Sequence, residues 1–326
     1  MLARLREIIA PHGHDPGVSV DSALETSARG LRALWISLLA LGVTAALQAV
    51  VVVFTGSVAL LSDTLHNAGD ALTAVPLALA FWIGRWPPNQ RYTYGYGRAE
   101  DLAGVVIVLV IAASAVLAAY ESTRRLFNEA EVRQLWAVAL AGIIGFCGNE
   151  LVARYRIAIG REIGSAALVA DGQHARTDGL TSLAVVLSAG GVALGWRWAD
   201  PVVGLVITLA ILVVLRSAVR DIYRRLMDAV DPTLVSRVEE TLRATPGVLD
   251  VGEVRLRWIG HQLRAECEVV VDAAETVARG HAVALDAEHR LLHDLPRLAA
   301  ALVHADPGGD GHDHHKLTAH HRDEEA

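Results

Sequence analysis

Ser165–Leu194 reads SAALVADGQHARTDGLTSLAVVLSAGGVAL. At 1.5 Å per residue, such a stretch crosses about 30 Å of hydrocarbon. Yet its first half carries Asp171, His174 and Asp178. Offsets of three and four residues place these side chains on one helix face, as a stripe of carboxylate oxygen and imidazole nitrogen at membrane depth. The same pattern, D-x-x-H-x-x-x-D, stands in Val58–Ile83 as Asp63, His66 and Asp70, and each position recurs 108 residues later. A charge at the bilayer centre costs on the order of 3 kcal/mol even on the lenient insertion scale. The ionisable groups of these two spans therefore require a partner: protons, bases or a cation. The nearby base that the sequence places inside a span is Arg176, which cannot balance four carboxylates. The pattern points to a cation site shared between two membrane helices.

The rest of the chain fits a membrane setting. Of its 326 residues 53% are hydrophobic, and the mean hydropathy is +0.37. Soluble domains sit near or below zero. Further apolar stretches long enough to span are Leu34–Phe54, Leu102–Tyr120, Leu135–Tyr155 and Val202–Leu215, the last extended into Arg220. Arginine sets the orientation. With the N-terminus inside, cytoplasmic connections carry Arg4, Arg6, Arg29, Arg32, Arg85, Arg91, Arg98, Arg154, Arg156, Arg161 and the group from Arg216 to Arg225; the opposite side carries Arg124, Arg125, Arg133 and Arg197. Six spans then return the C-terminus to the cytoplasm. The first ~30 residues hold no uninterrupted apolar run, so no cleavable signal peptide is expected. An Arg- and Ala-rich composition without an organelle-targeting segment suggests a bacterial inner membrane.

After Asp231-Pro232 the character changes. Thr233–Ala244 reads as an amphipathic helix, Val251–Trp258 and Leu263–Asp272 as strands, Ala274–His293 as a helix and Ala299–His304 as a last strand. The expected fold is thus an all-α six-helix transmembrane domain (31–228) followed by a small α+β (α-β-β-α-β) cytoplasmic domain (229–307). A cytoplasmic N-terminal segment (1–30) precedes them, and a His-rich, disordered tail (308–326) follows.

Several classes fall away on composition. No basic cluster with interleaved aromatics marks a nucleic-acid partner. The two cysteines, Cys147 and Cys267, exclude a disulfide framework and a four-cysteine zinc module. An enzyme would need an open catalytic position on the metal and a nucleophile or base to use it, and neither is in evidence, so no enzyme and no cofactor are expected.

Two His and two Asp from facing helices make an N2O2 shell. Tetrahedral imidazole–carboxylate coordination suits Zn2+, with Co2+ or Cd2+ as substitutes; Ca2+ would want six to eight oxygens. Imidazole titrates near neutrality, so such a site exchanges metal for protons. His66, Asp70, His174 and Asp178 are the favoured ligands. Asp63 and Asp171, nearly a turn toward the N-terminal end of each helix, read as supporting or access-path residues. Gln48 and Asn149 are further path candidates, and read equally well as interhelical hydrogen-bonding glue.

Gly56-Ser57-Val58-Ala59-Leu60-Leu61-Ser62-Asp63 with His66 and Asp70, Tyr94-Gly95-Tyr96-Gly97-Arg98-Ala99-Glu100, and Ala170-Asp171 through His174 to Asp178 together resemble the signatures of the cation diffusion facilitator family. The likeness runs from about Leu31 to Pro307. It implies a six-helix homodimer with a cytoplasmic α-β-β-α-β domain, exchanging divalent metal for protons, and it matches His66, Asp70, His174 and Asp178 to the transport site. The His-Asp pair on both helices resembles the zinc-type branch; iron and manganese stay open. Some members carry a second metal site between helices two and three. Here Arg85–Gly97 has Tyr92 and Tyr96 where His would be expected, and no metal is expected there. The resemblance also implies a regulatory metal site in the C-terminal domain, from Cys267, His281, His304 and Asp306, with His261, in the turn between strands, either substituting for a missing ligand or facing water; Cys267, His281 and His304 read equally as core or interface residues. His12, His14, His312, His314, His315, His320 and His321 are loose metal-capturing or simply solvated residues. The competing expectation is a metal-sensing membrane partner that does not transport.

Overall fold

The structure is a computed structural model and describes residues 16–55, 74–127, 135–196 and 198–309. Within them the helices are α1 (Pro16–Thr55), α2 (Ala74–Gly84), α3 (Arg98–Phe127), α4 (Leu135–Ile163), α5 (Ala166–Ala193) and α6 (Ala199–Leu226). The C-terminal part follows as α7 (Pro232–Arg243), β1 (Asp250–Ile259), β2 (Gln262–Val271), α8 (Val277–Asp294) and β3 (Leu298–Pro307). The α-β-β-α-β order is the expected one. The membrane helices are longer than their apolar cores: α1 starts well before Leu34, α4 continues past Tyr155, and α6 extends beyond both expected ends. Hydropathy marks only the part that lies in hydrocarbon. The charged ends continue the helix because Arg and Glu are good helix formers.

Parts of α1, α3, α4 and α6 are long and apolar enough to cross a membrane. α5 matches them in length but carries Asp171, His174, Arg176 and Asp178. The outward surface is apolar: Leu102, Leu109 and Val116 of α3 and Leu205, Leu209 and Val213 of α6 are exposed. Inside, Ser37, Thr44, Gln48, Asn149 and Ser182 are buried. That inversion suits hydrocarbon as the solvent, where helices associate through small and polar residues. An apolar cluster at the end nearer the C-terminal domain, with Leu77, Phe81, Ile107, Ile111, Ile163 and Leu168, ties α2, α3, α4 and α5 together.

α4 and α5 approach most closely where glycines face the partner helix. A Cβ on Gly172 would stand 3.0 Å from the Ile157 backbone nitrogen and 3.1 Å from the Ala153 carbonyl oxygen. Between the two helices Gly164 turns the chain, and the Ser165 side chain caps α5 by accepting from Leu168 N. A capping hydroxyl satisfies one orphan donor of the first turn.

In the C-terminal domain β1 and β2 form an antiparallel hairpin, and β3 returns through α8 to lie parallel to β2. A parallel return requires such a crossover. Leu263, Ala265, Cys267, Val269 and Val271 alternate along β2 and are buried. Leu263, Ala265, Cys267 and Val269 pack against Val238 and Leu242 of α7 and Ala287 and Leu291 of α8. Asp231 caps α7, accepting from Thr233 N at 2.9 Å, with Pro232 following.

The hairpin tip, Gly260-His261, docks on the first turn of α3. Gly260 has φ +59°, and a Cβ there would lie 2.7 Å from the Gly97 carbonyl oxygen. Only glycine meets both demands. Gly260 N donates to Asp101 Oδ2 at 3.4 Å, and His261 Nδ1 lies 2.8 Å from Glu100 Oε2. Arg98 pairs with Asp228 at 2.8 Å, and the Arg225 guanidinium covers the Trp258 ring at 4.3 Å. Carboxylates in a first helical turn are favoured by the helix dipole.

Candidate metal site

His174 and Asp178 lie on the buried face of α5, 1% and 6% exposed. His174 Nδ1 stands 3.7 Å from Asp178 Oδ1. Two ligands held at about 2.0–2.1 Å from one tetrahedral ion stand roughly 3.4 Å apart, so the pair is within a few tenths of an ångström of a chelating spacing. The expected partners, His66, Asp70 and Asp63, lie outside the described residues. Among the described residues no three His, Cys, Asp or Glu side chains gather as a metal-holding group.

α1 and α4 close around this part of α5. Gln48 is fully buried and donates to the Ala141 carbonyl at 3.2 Å. A Cβ on Gly145 would stand 2.8 Å from both Gln48 Nε2 and Ser182 Oγ, so glutamine, glycine and serine meet one turn beyond Asp178. Asn149 is buried, and its Cβ would touch a Cβ on Gly179, the neighbour of Asp178, at 3.3 Å. The two path candidates thus pack beside the α5 pair.

Asp171 is engaged differently from the sequence expectation. Arg176 is not the base that matters to the stripe: it turns to Glu150, at 3.1 Å. The base beside Asp171 is Arg156 of α4, with Nη1 2.9 Å from Asp171 Oδ2 and both side chains sealed from solvent. Hydropathy ended the fourth span one residue short of Arg156. The signal was in the spacing, because Gly145, Asn149, Ala153, Arg156 and Gly160 recur every three or four residues and are all buried.

The C-terminal candidates separate. Cys267 faces the core between sheet and helices, and burial, followed by the charge of Glu266, pushes its thiol up to about 12. Its strand neighbour Glu268 points to the other face and pairs in register with His304. His304 Nε2 lies 3.1 Å from Asp306 Oδ1. His281, at the start of α8, is exposed. His261 does not face water: it is buried against Glu100. The structure therefore brings together His304 and Asp306 of this set and not the others. His12, His14 and the tail histidines lie outside the described residues. Tyr92 and Tyr96, in the α2–α3 connection, pack against each other with ring centroids 4.7 Å apart and planes tilted by 42°.

A family model for the cation efflux transmembrane domain matches residues 34–227, and one for the cation efflux cytoplasmic domain matches residues 230–308. The chain belongs to the cation efflux family. This cation efflux protein is a multi-pass membrane transporter with a cytoplasmic C-terminal domain, and not an enzyme. It is 57% identical over 309 residues to a probable cation efflux system protein of Mycobacterium tuberculosis, covering 95% of this chain and 93% of that protein. It is 27% identical over 242 residues to the cadmium, cobalt and zinc/H(+)-K(+) antiporter of Bacillus subtilis, covering 73% of this chain and 78% of that protein. It is 24% identical over 259 residues to the manganese efflux system protein MneP of Bacillus subtilis, covering 77% and 87% respectively.

Proposed function

We propose that this cation efflux protein exports a divalent transition metal, zinc foremost, from the cytoplasm in exchange for protons. His66, Asp70, His174 and Asp178 are the ligands, and alternating access moves them between the two sides. The observation that carries the reading is the buried His174–Asp178 pair, 3.7 Å apart on a membrane helix. Imidazole with carboxylate favours zinc, cobalt and cadmium over calcium, and both groups bind protons in the metal's absence. The Bacillus antiporter of cadmium, cobalt and zinc supports that selectivity, and MneP keeps manganese as the competing cargo. The protein works as a homodimer in an inner membrane with both termini in the cytoplasm. The division at residues 228 and 229 and the His-rich tail from residue 308 follow the sequence reading, and His304 with Asp306 is the pair best placed for a cytoplasmic metal contact.

The test is metal entry into proteoliposomes, with a zinc-sensitive dye inside and an imposed pH gradient. Gradient-driven zinc uptake that vanishes in Asp178→Ala is expected. Uptake that survives this substitution would show that the ligands lie elsewhere. No flux of zinc, cobalt, cadmium, manganese or iron from well-folded protein would leave a metal-binding partner in place of a transporter.

A further inference from the structure

The Arg156–Asp171 pair lies one turn from His174, toward the cytoplasmic end of α5. The contact is charge against charge and little more: neither oxygen of Asp171 and neither Nε nor Nη2 of Arg156 has a hydrogen-bond partner among the described residues. A buried ion pair that serves stability has its remaining donors and acceptors satisfied, because desolvation otherwise outweighs the attraction. Among the described residues this pair is under-satisfied, and each partner keeps capacity for another. Among the described residues, Tyr155 and Ala170, the chain neighbours of Arg156 and Asp171, belong to the apolar cluster with Leu168 and Ile163.

Its position gives it a role. The Gly164 end of α5 faces the cytoplasmic domain, since Arg297 of that domain donates to the Arg161 carbonyl beside Gly164. Asp171 lies in the second turn from that end; His174 follows one turn deeper and Asp178 one turn beyond it. Counted from the cytoplasmic end of α5, Asp171 comes before His174. Arg156 cannot release a proton to clear the way, because guanidinium stays charged in proteins. It can clear the way only by giving up the carboxylate.

We infer that Arg156 is the resident counter-ion of Asp171 and that the entering metal takes its place, so that Asp171 relays the cation inward and Arg156 is the positioning residue that keeps it from being trapped. The inference rests on His174 and Asp178 as ligands. Without Arg156 the bare carboxylate holds the cation short of the site. Without Asp171 the bare guanidinium repels the cation on its approach.

The experiment is initial-rate zinc flux in proteoliposomes for the wild type, Arg156→Gln, Asp171→Asn and the double variant, with KM and maximal rate separated. A unit charge one or two helical turns from a divalent ion, at an effective dielectric of about 20, changes its affinity on the order of a hundredfold or more. Asp171→Asn is therefore expected to raise KM by that factor. Arg156→Gln is expected to lower KM and the maximal rate together. The double variant should return KM to within about threefold of wild type, a non-additivity that marks a direct pair. Single variants that lose maximal rate at unchanged KM, with a double variant no better, would mean a merely structural pair and overturn the inference. Arg156→Lys keeps the charge and covers the case in which a neutral variant does not insert: wild-type KM supports the inference, and a tenfold change overturns it. Asp178→Ala runs alongside. If it transports, the ligand reading fails on its own; if it is inactive while the pair shows no coupling, only the relay fails.

Discussion

Gly260→Ala tests the docking of the hairpin tip on α3. The substitution places an L side chain at φ +59° and a methyl carbon 2.7 Å from the Gly97 carbonyl oxygen. The left-handed conformation costs roughly 1–2 kcal/mol for a residue with a Cβ, and the steric overlap adds about 1–3 kcal/mol unless the tip withdraws. Only the steric part differs between docked and withdrawn tip, and about 2 kcal/mol of it corresponds to roughly a thirtyfold shift in the docking equilibrium. The assay is hydrogen exchange on the whole purified protein. Amides at the β1–β2 turn and in the first turn of α3 should lose protection together, while the core of the C-terminal sheet stays protected. Gly195→Ala is the control: Gly195 has φ +82° with nothing within 4 Å of its Cβ position, so it carries the conformational cost alone and leaves the hairpin untouched. Unchanged protection at both segments in Gly260→Ala would refute the docking argument.

Two further predictions follow from burial and close approach. With its thiol pushed up to about 12, Cys267 in a Cys147→Ser background should alkylate at pH 8 about a thousandfold more slowly than a free thiol, since only the thiolate reacts; reaction at the free-thiol rate in folded protein would contradict its place in the core. Gly172→Val should destabilise the α4–α5 seam by about 1–3 kcal/mol, read as a lower thermal midpoint and a reduced yield of folded protein in detergent, and an unchanged midpoint would mean that the seam is looser than its distances say.

Much of the fold was legible because hydrocarbon imposes long apolar runs and because turn residues punctuate the C-terminal domain. Asp231-Pro232 announces α7 through its cap, and the alternation of Leu263, Ala265, Cys267 and Val269 announces β2 and its buried face. The stripe of Asp171, His174 and Asp178 was legible because its period is helical while its chemistry is wrong for lipid. What escaped were partnerships between elements. Arg156 counted as a cytoplasmic charge in hydropathy, although its helix face is the one that α5 covers. Glu100 belonged to a recognised motif, but nothing local says that a histidine 161 residues later reaches it. The separation of Cys267 from His304 follows from strand alternation, and only the register of β2 against β3 fixes which residue faces which side.

The glycine seam has a mechanical meaning. At Gly172 the Ile157 side chain and backbone and the Ala153 carbonyl come within 2.7–3.1 Å of where a Cβ would stand, so one helix cannot slide or roll on the other without steric collision. α4 and α5 thus behave as a single strut. On the proposed reading, His174 and Asp178 travel with α4, and any motion that alternates access falls to the joints lined by longer, deformable side chains, such as Ile107, Ile111 and Ile222 between α3 and its neighbours.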